Sequence, residues 1–166
     1  AKTEPAGQYN PEQGGRPVDG TEKAASNGPS EAAYLEEVAD IQNGSVETAL
    51  RSNNKLLRYD GLTAADVEEL KGDYVALENY ARRARNLAPS AEHEDQYKVF
   101  VLAINELRDA NELAYRLAAD PSSATQTDFE AYDRHVNRAT EYLRKSNEML
   151  GEDYKTTEAA REISLG

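Results

Sequence analysis

YKVFVLAINELRDANELAYRL, residues 97–117, is the stretch whose reading decides the fold. Tyr97, Phe100, Ile104, Leu107, Asn111 and Ala114, continued by Ala118, recur at three- and four-residue steps, with Val101, Leu113 and Leu117 beside them. That period gathers them on one stripe of an α-helix and sends the charged residues to the other side. Asn111 is the polar exception on the stripe.

The same period recurs on both sides of this stretch, over 34–59, 67–87 and 129–150. Each run closes on a turn signal: Asp60-Gly61, Pro89, Asp120-Pro121 and Gly151. Short connections force neighbouring helices to run antiparallel. The expectation is an all-α, up-down-up-down four-helix bundle over 30–151, with helices at about 30–59, 63–88, 90–119 and 127–150. Ser30, Thr63, Ser90 and Thr127 are the expected N-caps. Asp66 and Glu130 stand at the reciprocal positions of capping boxes, and Gly151 closes the last helix.

The first helix departs from the pattern. Its stripe runs Leu35, Val38, Gln42, Ser45, Ala49, Ser52, Leu56 and Tyr59, apolar at the ends and polar in the middle. Gly44 lies in that middle and weakens a helix by about 1 kcal/mol relative to alanine.

Two flanks lie outside the bundle. Residues 1–29 hold Pro5, Pro11, Pro17 and Pro29 and five glycines, with Val18 as their only large aliphatic residue. Such a segment buries too little surface to offset its ordering entropy and reads as a flexible leader. Residues 152–166 form a tail whose Thr157–Glu162 segment suits a short helix.

Composition removes several functions. Apolar residues make up 39 % of the 166, and the net charge is −12, spread along the chain. An acidic coat disfavours nucleic acid and anionic membranes as partners. With no cysteine there is no disulfide, thiolate metal site or cysteine nucleophile. No apolar run approaches a membrane-spanning length. A di-iron bundle needs glutamate three residues before histidine, but Ser90 precedes His93 and Tyr132 precedes His135 at that spacing. Phosphate-binding glycine loops and a nucleophile elbow are missing too. The chain therefore reads as non-enzymatic, with no cofactor and no metal site. Glu92-His93-Glu94 reads as a solvated helix start.

Two constellations stand out. One is a polar inter-helix layer of Ser45, Ser52, Tyr74, Asn111 and His135. By height along antiparallel helices, Gln42 falls level with Ser146, and Ser52 with Asn111. Such a layer either fixes helix register or lines a small ligand cavity. The other is Arg82, Arg83 and Arg85 beside Tyr80, Tyr115 and Tyr142, a residue set favoured at interfaces and suited to a partner or an anion.

The functional expectation is a non-enzymatic binding or interaction module. A start without methionine and a leader before the bundle suit a protein exported from the cell, with a lipid tether upstream and a protein or cell-envelope component as partner. Alternatives are a small-ligand or metal-binding sensor using the polar layer, and a cytoplasmic adaptor or phage-type structural protein. A closed bundle buries its own stripes, so a monomer or weak dimer is expected.

Overall fold

The computed structural model describes residues 23–151, with side chains from Glu31 onward. Four α-helices follow one another: α1 (Lys23–Leu56), α2 (Ala64–Arg85), α3 (Glu94–Ala119) and α4 (Gln126–Leu150). Among the described residues there is no strand, and no helix is long and apolar enough to cross a membrane. The chain divides into two compact units between Ala33 and Tyr34. Of the first, only residues 23–33, helical as part of α1, are described. The second contains the antiparallel four-helix bundle.

Polar contacts fix the helix directions. Along α1 and α2, Arg83 meets Glu37 and Asp40, Arg51 meets Asp73, and Lys55 meets Glu69, so one helix descends as the other rises. Along α3 and α4, Gln96 donates to Ser146 and Glu106 pairs with His135, again in opposite senses.

The connections explain where the helices end. At α2, Thr63 is extended and its hydroxyl accepts from the Asp66 N–H, while Asp66 accepts from the Thr63 N–H: the expected capping box. The backbone N–H of Thr63 holds the Asp66 carboxyl below its ordinary range. Three-residue 3₁₀ turns at Tyr59–Gly61, Ala91–His93 and Pro121–Ser123 tighten the three connections. Gly151 closes α4 with a φ of 86°, which L side chains disfavour.

Several expected boundaries are corrected. α1 begins at Lys23 rather than at Ser30, so residues 23–29 are helical and only residues 1–22 of the expected leader lie outside the described residues. It stops at Leu56, because Tyr59 has passed into the first 3₁₀ turn. α2 stops at Arg85, before Leu87 and Ala88. Ser90 makes no side-chain cap; it precedes a 3₁₀ turn, and α3 starts at Glu94. The box at α4 is Thr125 with Asp128, not Thr127 with Glu130, since Thr125 is the extended residue before the helix. The tail 152–166 lies outside the described residues.

Two apolar clusters form the core. The larger joins Tyr34, Val38, Ile41 and Val46 of α1 to Leu77 and Ala81 of α2, Phe100, Ile104 and Leu107 of α3, and Leu143 of α4. The smaller joins Leu56, Leu70, Tyr132 and a run of α3 alanines, Ala110, Ala114 and Ala118. Small residues let backbones approach closely but also leave space where large ones do not reach in.

Candidate functional site

That space opens where the two apolar clusters meet. A cleft of about 200 Å³ lies among three helices. Ala49, Leu50 and Asn53 contribute from α1, Leu107, Ala110 and Asn111 from α3, and Tyr132, Val136, Asn137 and Thr140 from α4. Ala49 and Ala110 contribute only methyl side chains to its wall. For scale, an apolar cavity of about 150 Å³ accepts benzene.

The polar atoms of the wall are arranged unevenly. Asn111 is 1 % exposed. Its Nδ2 donates to the Leu107 carbonyl at 2.9 Å, but no protein donor reaches its Oδ1. The Tyr132 hydroxyl donates to Asn53 Oδ1 at 2.9 Å and ties α4 to α1 across the cleft. Burial, with the nearby Asp133 charge, pushes the Tyr132 phenol up, so it remains a protonated donor. The Thr140 hydroxyl donates to the Val136 carbonyl at 3.0 Å. The hydroxyl protons of Tyr132 and Thr140 are spent on protein acceptors, the Asn111 amide oxygen is buried without a partner, and the Asn53 and Asn137 amides also line the cleft.

Of the five residues expected to share one polar layer, only Asn111 lines this cleft. Ser52 is buried and donates to Asp73 Oδ2 at 2.8 Å, while Arg51 holds the other Asp73 oxygen at 2.9 Å. Tyr74 donates to Glu78 one turn along α2. His135 turns toward α3, with Nδ1 2.6 Å from Glu106 Oε1. Ser45 is fully buried, and its hydroxyl has no partner. Nor do Gln42 and Ser146 pair: Ser146 accepts from Gln96, which accepts from Tyr34, a buried chain linking α4, α3 and α1. Gln42 keeps both ends of its amide buried without a partner.

Glu106, Asp109 and His135 bring ligand-type atoms within 4.8 Å of one another. Reading each helix separately for glutamate-to-histidine spacing misses this group, because its histidine comes from the neighbouring helix. Two arginines already answer the carboxylates: Arg108 lies 3.0 Å from Asp109 and Arg138 3.9 Å from Glu106. Glu106 joins α3 to α4 through His135 and Arg138, while Arg108 and Asp109 pair within α3. His93, expected at a solvated helix start, is instead buried, its ring stacked on Tyr34 at 5.7 Å.

The arginine group is partly committed as well. Arg83 bonds Asp40 and Glu37, which raise its pKa further, and lies over the Tyr80 ring. Arg82 donates to Asn79, and Arg85 is exposed. Tyr80 and Tyr142 pack against the larger cluster, and Tyr115 against the smaller.

Compared with known protein families, curated proteins and solved structures, the chain matches none.

Proposed function

We propose that this bundle is a non-enzymatic binding module and that it holds a small molecule in the cleft between α1, α3 and α4. The observation that carries this reading is a cleft of about 200 Å³ between three helices, lined by an apolar wall and by Asn111, whose buried amide oxygen has no protein partner. An unsatisfied buried acceptor costs about 1–3 kcal/mol, which a leucine at that position avoids. A ligand that engages Asn111 removes that cost. Bundles commonly place ligand sites between facing helices, in clefts with an apolar wall and a few polar groups.

A macromolecular partner at the Arg82–Arg85 face has less support. Arg83 is already shared between two carboxylates, and the flanking tyrosines contribute to the core margin.

Thermal unfolding of the full chain against a library of small organic fragments tests the reading. A ligand present at 100 times its Kd stabilises the folded state by about 2.7 kcal/mol, a readily measured rise in Tm. Ala110→Leu fills the cleft and should abolish the rise for the same fragments while the protein stays helical. Fragments that stabilise Ala110→Leu and the unaltered protein equally would place binding elsewhere and overturn the reading.

A further inference from the structure

A second group of side chains lies across the seam between α3 and α4 and stands whether or not the cleft holds a ligand. Glu106 and Asp109 are three residues apart on α3, neighbours on one face of the helix. His135 reaches that face from α4, its Nδ1 2.6 Å from Glu106 Oε1. One ligand-type atom from each of the three lies within 4.8 Å of the other two. All three remain open to solvent: the side chains of Glu106, Asp109 and His135 are 17 %, 37 % and 26 % exposed. The histidine sets the group apart from an acidic patch. An imidazole, the side chain most used by transition ions, comes from a second helix and meets the two carboxylates across a packed seam.

The arginines answer these carboxylates only in part. Arg108 approaches Asp109 through Oδ1 with both of its donors. Arg138 stands 3.9 Å from Glu106 Oε2, outside hydrogen-bond distance, and its side chain is 55 % exposed. Exposed pairs of this kind add little to stability and yield to a stronger ligand. Two carboxylates and a neutral imidazole together carry two negative charges, the complement of a divalent ion. The chain's net charge of −12 draws cations in from longer range.

We infer that Glu106, Asp109 and His135 form a binding site for a divalent transition ion of the zinc class. Bonds of about 2.0–2.2 Å to nitrogen and oxygen leave neighbouring ligand atoms about 3 Å apart, so the short Glu106–His135 contact opens slightly as the ion enters. In the ion-free pair a proton bridges Nδ1 and Oε1. With the ion bound, Nδ1 presents its lone pair and the neutral ring carries its proton on Nε2. Water completes the coordination on the exposed side. A nitrogen beside two carboxylates favours zinc, nickel or copper over magnesium and calcium, which take oxygen shells. Because the ligands come from α3 and α4, the bound ion ties the two helices together and stabilises the folded chain.

Calorimetric titration of the full-length protein with zinc chloride tests the site, with magnesium and calcium chloride for comparison. Zinc should bind saturably, and magnesium and calcium about 100-fold more weakly or not at all. His135→Ala and Asp109→Asn should each weaken zinc binding about 10-fold or more. NMR of the two histidine rings in the unaltered protein keeps the test independent of how the variants fold. Zinc should move the His135 ring signals along the calorimetric curve, with the ring proton on Nε2, and leave those of His93 unmoved. Zinc affinity unchanged in a folded His135→Ala overturns the site, as an adventitious ion elsewhere would give that result. Saturation at His93 alone, magnesium binding as tightly as zinc, or no saturable zinc binding overturns it as well.

Discussion

The Tyr80 hydroxyl of α2 occupies the space that a side chain at position 44 of α1 would fill. A Cβ added at Gly44 would collide with Tyr80 Oη and lie 2.8 Å from its Cε1. The glycine that makes α1 a poor helix on its own terms is therefore a packing residue, admitting an aromatic ring between two helices. Thr48 reinforces the spot by donating to the Gly44 carbonyl at 2.7 Å.

A sign reversal follows for Gly44→Ala. In the unaltered protein, overpacking of about 1–3 kcal/mol outweighs a helix-propensity gain of about 1 kcal/mol, and stability falls. On a Tyr80→Ala background the obstruction is gone, and the same substitution should gain about 1 kcal/mol. Chemical denaturation of the four proteins in this cycle checks it. The same sign in both backgrounds contradicts the packing role.

Gln42 offers a stabilising substitution. It is fully buried, and both ends of its amide are unpaired. Gln42→Leu keeps the approximate size and removes the unpaired groups, so stability should rise by about 1–3 kcal/mol. A higher urea midpoint at unchanged m is the expected readout. A lower midpoint would mean that the amide is satisfied in solution.

The start of α4 separates two threonines. Thr125→Ala removes the hydroxyl that accepts from the Asp128 N–H and should cost about 1 kcal/mol. Thr127→Ala removes an exposed hydroxyl inside the helix and should fall within about 0.5 kcal/mol of no effect. Equal losses would contradict the observed cap.

Asp66 makes a prediction about acid. Its carboxyl is held low, first by the Thr63 backbone N–H and then by the Thr63 hydroxyl and the nearby Arg58 and Lys55. A group whose folded pKa is depressed stabilises the fold above its ordinary pKa and loses that contribution as pH falls through the depressed one. Asp66→Asn should therefore lower stability near neutral pH and narrow the gap to the unaltered protein below the carboxylate range. A stability difference that does not change with pH would contradict this.

Much of the architecture is legible in the residues themselves. Phe100, Ile104, Leu107 and Leu143 occupy the core that their spacing announces, and Thr63 with Asp66 caps α2 as expected. The misplaced cap at α4 has a local cause. Thr125-x-x-Asp128 and Thr127-x-x-Glu130 both place an acid three residues after a threonine, and Thr125 is the one that is extended ahead of the helix. The polar pairs escaped because height along a helix does not determine rotation, and successive residues differ by about 100°. Ser52 therefore meets Asp73, and Ser146 meets Gln96, residues that look like surface positions beside the stripes. Asn111 was visible as an exception on its stripe. The cleft beside it was not, since it depends on how Ala49, Ala110 and Tyr132 from three helices come together.

The cleft is the central claim, and amide NMR of the isotope-labelled protein tests it most directly. During titration with benzyl alcohol, the Asn111 side-chain amide and the backbone signals of Asn53, Ala110, Val136 and Thr140 should shift together along one saturable curve. Signals near Gln96 and Ser146, at the other end of α3 and α4, should stay in place. Shifts absent from the Asn111 amide, or spread over the surface without saturation, would contradict the account.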